Sequence, residues 1–461
     1  MDLNGKRVLV VGLGRSGIAA ARLCAARGAR VTVTDKRDGA ALGGALAGLP
    51  PAVAREVGGH RRETFTAAEL IVLSPGVPEI PELAAARAAG VAITGEMELA
   101  SHFVSSTLIA ITGTNGKSTT TTLVGDMMRA TGRPTFVGGN LGEPLAEAVG
   151  TPAAAPGGVC VVETSSFQLE TADTFHPHVA VLLNITADHL DRYADIDTYV
   201  AAKARIFSAQ TASDYAVVNA DDPLAAGAAP DTASRRLAFS VTRPLAEGAW
   251  LTPAADDGLS GLTLRLPGAG PERYPANVPG LVGRHNQANA LAALLTARLA
   301  GATPEQARAA LVAFRPLAHR MELVAEAGGV AYYDDSKGTN VGAVVASLDG
   351  FPRPVVLIAG GRDKGGDYAP LADVLRRVGR AAVLIGEAAD KMQGALAGAL
   401  PVHRAPTMEE AVEAARRLAE PGDAVVLSPA CSSFDMFRDY AHRAEVFRAA
   451  VARVAGGQRA S

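Results

Sequence analysis

Ala110-Ile111-Thr112-Gly113-Thr114-Asn115-Gly116-Lys117-Ser118-Thr119 runs from an apolar, β-branched segment into a glycine turn and on into helix-forming residues. The pattern predicts a strand over 108–111, a phosphate-binding turn, and a helix over 118–131. In such a turn backbone amides cradle phosphates, Lys117 reaches the transferred γ-phosphoryl, and the Ser118 hydroxyl faces Mg2+. The spacing departs from the usual GxxxxGK[ST]: position 111 is Ile, and two residues, Thr114 and Asn115, separate Gly113 from Gly116. Gly-Lys-Ser-Thr at a strand-helix junction nevertheless has little purpose without a phosphate ligand.

A second glycine turn lies upstream. Gly12-Leu13-Gly14-Arg15-Ser16-Gly17 sits between a strand over 7–11 and a helix over 17–27, and Asp35 ends the following strand over 30–34. Its glycines let a backbone approach a pyrophosphate, and Asp35 stands where a ribose-binding acid would. Ser74-Pro75-Gly76 follows a later strand and adds donors to the same pocket. Alone this turn implies an NAD enzyme. A dehydrogenase needs only the first turn, a simple ATPase only the second, and an enzyme joining a nucleotide-carried substrate to something else with ATP needs both.

The rest of the chain fits this frame. Short Val/Ile/Leu runs (70–73, 91–93, 159–163, 179–184, 215–219) alternate with Ala-rich stretches, the signature of parallel sheets covered by helices. Residues 241–279 read as β-hairpins and loops, followed by a helix over 287–299; 316–320 is a linker to a third αβ series with strands at 355–359, 382–385 and 424–427. At 461 residues more than one domain is required. Hydrophobic residues at 48%, charged residues at 20% and a net charge of −3 describe a globular chain without a broad nucleic-acid surface. Cys24, Cys160 and Cys431 show neither metal-ligand nor disulfide spacing, which points to a reducing compartment. With no signal peptide and no apolar run of membrane length, a cytoplasmic protein without membrane insertion is expected.

From Ala110 onward the chain resembles the Mur ligase family, whose central domain carries a short GTNGK[ST] loop. The further motifs occur in order: Glu163-Thr-Ser-Ser-Phe-Gln-Leu-Glu170, Asn184-Ile-Thr-Ala-Asp-His189-Leu-Asp-Arg-Tyr193, Tyr199-Val-Ala-Ala-Lys203, Gly283-Arg-His-Asn286-Gln-Ala-Asn289, His319-Arg320, Asp334-Asp-Ser-Lys337-Gly-Thr339-Asn340, and Leu427-Ser-Pro-Ala-Cys-Ser-Ser433. The resemblance implies an α/β fold of three domains: a Rossmann-like UDP-binding domain (1–105), a central P-loop ATPase-type domain (106–316) and a C-terminal Rossmann-like domain (317–461). The Asp335–Asn340 and 427–433 runs are similar to those of the member that adds D-glutamate. That implies a ligase for UDP-N-acetylmuramoyl-L-alanine, D-glutamate and ATP, acting through an acyl phosphate, as a monomer.

Site residues follow from the same resemblance. Gly113, Thr114, Asn115, Gly116, Lys117, Ser118, Thr119, Asn286, Asn289, Arg320 and Asp335 would bind ATP. Gly14, Arg15, Ser16, Asp35, Ser74 and Asn140 would hold the UDP substrate. Lys337, Thr339, Lys364, Ser433 and Tyr440 would take D-glutamate. Two Mg2+ ions would rest on Ser118 and Glu163 and on His189 with a carbamylated Lys203, while Lys117 and Arg320 stabilise the moving phosphoryl. Singly these residues read otherwise: Glu163 as a solvated acid, His189 as a loop cap, Lys203 as an exposed helix lysine, Asn286 and Asn289 as helix caps. Gly338 reads as a position where Ala would serve equally.

Three rivals stand beside this reading: an oxidoreductase resting on the first turn, a folate polyglutamate ligase, which would lack the first domain, and a non-enzymatic nucleotide switch.

Overall fold

The computed structural model describes residues 1–188, 192–228, 231–253, 261–278, 281, 283–315 and 317–456. Three sheets follow one another along the chain. The first comprises β1 (Arg7–Val11), β2 (Arg30–Asp35), β3 (Ala54–Val57), β4 (Leu70–Leu73) and β5 (Ala92–Gly95), in the order β3-β2-β1-β4-β5 and wholly parallel. Leu9, Val11 and Ile71 pack against Phe65, Leu83 and Ala86, all buried.

The second sheet has nine strands: β6 (Thr107–Thr112), β7 (Thr135–Gly139), β8 (Val159–Glu163), β9 (Val179–Leu182), β10 (Tyr215–Asn219), β11 (Arg235–Ser240), β12 (Gly248–Thr252), β13 (Gly261–Arg265) and β14 (Pro271–Pro275). Their order is β14-β13-β12-β11-β10-β9-β6-β8-β7. β6 lies between β9 and β8, and its apolar residues are covered on both faces, as expected of a central parallel strand. β12 to β14 pair antiparallel, matching the hairpins read from 241–279.

The third sheet comprises β15 (Glu322–Ala327), β16 (Val330–Asp334), β17 (Val355–Gly360), β18 (Gly379–Ile385), β19 (Val402–Arg404) and β20 (Ala424–Leu427), ordered β15-β16-β20-β17-β18-β19. Only β15 runs antiparallel to its neighbour. Apolar clusters cover both faces of this sheet.

By contact the chain forms two compact units. One holds 1–185, 199–277 and 288–313, with the first two sheets; the other holds 186–198, 278–287 and 314–461, with the third. Within the first unit, Glu96, at the start of the helix Glu96–Ser101, is 1% exposed and accepts the Ala146 N–H at 2.7 Å, tying the segment after the first sheet to the second. No described helix is long and apolar enough to cross a membrane.

Candidate functional site

β6 delivers the chain into the glycine turn, and the helix Lys117–Arg129 leaves it. Gly116 caps that helix at φ 82°, a left-handed conformation that disfavours a side chain. A Cβ there would also lie 2.2 Å from Asn289 Oδ1, so the predicted pair meets through a contact that only glycine permits. Ser118 and Thr119 are buried in the first helical turn, whose N–H groups have no intrahelical acceptor. Those amides and the positive end of the helix dipole favour a phosphate. Lys117 Nζ arches back to the carbonyls of Gly113 and Thr114, at 2.9 and 2.8 Å.

Lys203 is 2% exposed, not a solvated helix lysine. Its Nζ donates to the Gly113 carbonyl at 3.0 Å and lies 4.5 Å from the centroid of the Tyr199 ring. Tyr199 also meets the turn, its hydroxyl 3.3 Å from Thr114 Oγ1. Glu163, likewise not a surface acid, is 2% exposed at the end of β8, which pairs with β6. Asn140, expected at the UDP substrate, donates its amide to Glu163 Oε1 at 2.6 Å, and its N–H bonds the Glu163 carbonyl. Glu163 Oε2 is buried without a hydrogen-bond partner among the described residues. An anionic oxygen desolvated in this way calls for a cation, and hard oxygen donors beside a phosphate loop suit Mg2+. His189 lies outside the described residues.

At the first turn the glycines have separate reasons. A Cβ on Gly17 would fall 1.9 Å from the Gly12 carbonyl and 2.6 Å from Ser74 Oγ, whereas one on Gly14 would meet no atom within 4 Å. Gly17 is thus fixed by packing, and Gly14 leaves open space above the turn. The Ser74 hydroxyl donates to the Gly12 carbonyl at 2.7 Å. Asp35 accepts the Leu13 N–H at 2.7 Å and three bonds from Arg37: its N–H at 2.9, Nε at 3.0 and Nη2 at 2.7 Å. Burial pushes this carboxyl up, but the hydrogen bonds outweigh it and hold it well below the usual range. Its acceptor positions, roughly four, are all met by its own chain, so here Asp35 shapes the turn. Arg15 Nη1 reaches the Gly142 carbonyl at 3.5 Å, close in sequence to Asn140; Ser16 is half-buried beside it.

In the other unit, loops leaving β16, β17 and β20 are stitched together. Lys337 N–H bonds the His319 carbonyl, Ala430 N–H the Gly338 carbonyl, and Arg362 N–H the Ser432 carbonyl. Arg320 stands between His319 and Met321, both at positive φ (64° and 45°), a strained backbone of the kind kept at functional sites. Asp335 is buried and accepts the Ser428 hydroxyl at 2.6 Å; burial pushes its carboxyl up to about 6. Alanine does not fit at position 338: a Cβ would come within 2.8 Å of both Asp335 Oδ2 and Ser428 Oγ.

Among the residues expected at D-glutamate, Lys337 Nζ stands 5.5 Å from the centroid of the Tyr440 ring, and Ser433 is buried. Lys364 Nζ lies 3.4 Å from Asp188, which also accepts the Asn340 amide at 3.1 Å. Thr339 precedes Asn340, the cap of the helix Val341–Leu348. Asn286 opens the helix Arg284–Leu299, its N–H on the Gly283 carbonyl.

Four residues were missed. Asn184 and Asp188 lie inside a recognised motif but had no role there. Arg37 carries no motif signal. Arg443 is fully buried and donates to the carbonyls of Ser336 and Cys431, at 2.8 and 3.2 Å.

Three family models match in order: a Mur ligase MurD-like N-terminal domain over 6–95, a Mur ligase middle domain over 111–297, and a Mur ligase glutamate ligase domain over 319–431. The UDP-N-acetylmuramoylalanine--D-glutamate ligase of Geobacter metallireducens is 51% identical over 465 residues, covering 100% of both chains. That of Geotalea daltonii is 50% identical over 461 residues and 99% of both. Among solved structures, a MurF ligase from Thermotoga maritima in complex with ADP superposes with a TM-score of 0.61 at 15% identity, covering 98% of this chain and 96% of that one. A pseudomurein peptide ligase type C from Methanothermus fervidus gives 0.60 at 19%, covering 98% and 100%. Those two likenesses speak to the fold, and the full-length identities speak to kinship: the chain belongs to the Mur ligase family.

Proposed function

We propose that this chain is a cytoplasmic, ATP-dependent ligase that joins D-glutamate to UDP-N-acetylmuramoyl-L-alanine in the synthesis of a peptidoglycan precursor, and so serves cell-wall biogenesis, cell shape and division. It acts as a monomer, with its domains at 1–105, 106–316 and 317–461. The observation that carries the reading is the phosphate loop 113–119 with a buried, half-partnered Glu163 on the adjoining strand.

The alanyl carboxylate attacks the γ-phosphoryl of ATP; an acyl phosphate forms and ADP leaves. The D-glutamate amine then attacks the acyl carbon, the amide C–N bond forms, the C–O bond to phosphate breaks, and the amine gives up a proton. Loop amides and Lys117 stabilise charge on the moving phosphoryl. Asn140 orients Glu163. Ser118 and Glu163 would hold one Mg2+, and His189 with a carbamylated Lys203 a second; bound there, the ions would supply the charge neutralisation that lets two anions meet. By the family resemblance, Asn286, Asn289, Arg320 and Asp335 would also serve ATP. Gly14, Arg15, Ser16, Ser74 and Asn140 keep the UDP substrate, at a turn whose shape Asp35 sets, and Lys337, Thr339, Lys364, Ser433 and Tyr440 keep D-glutamate.

Phosphate release from ATP and UDP-N-acetylmuramoyl-L-alanine, with and without D-glutamate, tests this. Release that depends on D-glutamate is expected. Release independent of any amino acid would instead indicate a nucleotide switch.

A further inference from the structure

The loop between Gly113 and Gly116 is short, and a short loop has few residues with which to fix its own shape. Three main-chain bonds tie it to the strand exit next door. Thr114 N–H donates to the Asn184 carbonyl at 2.9 Å, Asn115 N–H donates to Asn184 Oδ1 at 2.8 Å, and Asn184 Nδ2 returns a bond to the Asn115 carbonyl at 3.0 Å. One side chain thus satisfies both polar groups of the Asn115 main chain. Asn184 is itself held on both flanks. Leu183 N–H bonds the Thr112 carbonyl, and Asn219 Nδ2 bonds the Leu183 carbonyl at 2.9 Å. Ile185 N–H bonds Asp222 Oδ2 at 2.7 Å. The approach is close: a Cβ on Gly113 would lie 2.9 Å from Leu183 Cβ.

We infer that Asn184 is a positioning residue that clamps the phosphate loop from the neighbouring strand exit and so sets its shape before nucleotide arrives. The inference rests on the loop being the ATP site and deepens that reading. It also divides the loop. The amides of Thr114 and Asn115 are turned onto Asn184, so phosphate is left to the amides from Gly116 onward, at the start of the helix.

The test compares binding of AMP, ADP and ATP to Asn184→Ala and Asn184→Ser, with UDP-N-acetylmuramoyl-L-alanine as a control ligand. Two side-chain hydrogen bonds are lost in Asn184→Ala, so ADP and ATP are expected to bind on the order of tenfold more weakly. AMP, which does not reach the loop with a β-phosphate, and the UDP substrate should bind as before. Equal weakening of AMP and ADP would reduce Asn184 to a general structural role, and unchanged ADP affinity in a folded variant would remove the clamp.

Hydrogen exchange of the wild-type chain gives an answer even where the variants fail to fold. Thr114 and Asn115 amides should be protected without nucleotide, whereas those of residues 116–119 should gain protection on adding ADP. Rapid exchange at 114 and 115 in the free chain overturns the inference. Failure of the wild type to bind ADP would count against the ATP-site reading, while the protection pattern would still judge the clamp.

Discussion

Lys117 and Lys203 donate to the same oxygen, the carbonyl of Gly113, at 2.9 and 3.0 Å. Two ammonium groups on one acceptor repel each other, and that field suits a polyanion. It suits a cation poorly, so a lysine that is to serve Mg2+ there must first change its charge. The amine adds to CO2 and loses a proton, giving a carbamate with two hard oxygens. We expect a carbamate signal on Lys203 in 13C NMR under labelled bicarbonate. Lys203→Ala should lose ligation and keep its fold, and Lys203→Arg should not restore activity, because guanidinium forms no such carbamate. Full activity in Lys203→Ala would end this part of the mechanism.

Lys117→Ala should abolish ligation by removing charge from the transferring phosphoryl, a loss of at least ~2.7 kcal/mol by analogy with an oxyanion donor. Binding of UDP-N-acetylmuramoyl-L-alanine should survive, since its candidate residues sit mainly at the first glycine turn. Calorimetry with that substrate decides the point: matched losses of binding and turnover would contradict two separate nucleotide sites.

The strands that carry the site were legible because each is a compact apolar run. Arg7–Val11, Leu70–Leu73, Val159–Glu163 and Tyr215–Asn219 stand where the sequence puts them. The strand expected over 179–184 stops at Leu182, because the Leu183 and Asn184 main chains turn to Thr112 and the phosphate loop. β3, Ala54–Val57, was not legible: its two most exposed residues, Ala54 and Arg55, give no apolar alternation. β7, Thr135–Gly139, ends in two glycines, with a Cβ on Gly139 blocked 2.4 Å from the Glu163 carbonyl. The burial of Glu163 on β8 and of Lys203 on the helix Ile196–Ala204 comes from tertiary packing, which no local window of sequence contains. The same holds for Asn184, whose side-chain partner Asn115 is 69 residues away.

Glu96 gives a pH dependence with a definite sign. Burial pushes its carboxyl up from 4.5 to about 7, only partly opposed by the Ala146 N–H. A carboxyl raised in the folded state contributes no cost while protonated and an increasing one as pH rises from 4.5 toward 7, saturating above it. The cost reaches about 3 kcal/mol at 1.36 kcal/mol per pKa unit. Glu96→Gln keeps an oxygen for Ala146 and removes the titration. Its melting temperature relative to wild type should therefore climb between pH 4.5 and 7.5, as followed by calorimetry. A difference that stays flat over this range would show that Glu96 is ionised without penalty.

Handedness provides the test of the proposed D-glutamate residues. Lys337 is set beside the Tyr440 ring, while Lys364 is anchored 3.4 Å from Asp188, so the two cations are fixed by different parts of the unit. Ser433 lies buried on the loop after β20, and Thr339 adjoins the helix cap Asn340. A D-glutamate whose two carboxylates are held by separate cations and hydroxyls has its amine direction determined, since three fixed points define a hand. L-Glutamate bound through the same two carboxylates would present its amine elsewhere, and its turnover should be negligible at concentrations that saturate with the D form. Removing one anchor in Lys364→Ala should raise KM for D-glutamate, with a loss of about 2 kcal/mol or more for a charge-assisted pair. Comparable turnover of the two enantiomers would show that Lys337, Thr339, Lys364 and Ser433 do not form the amino-acid pocket.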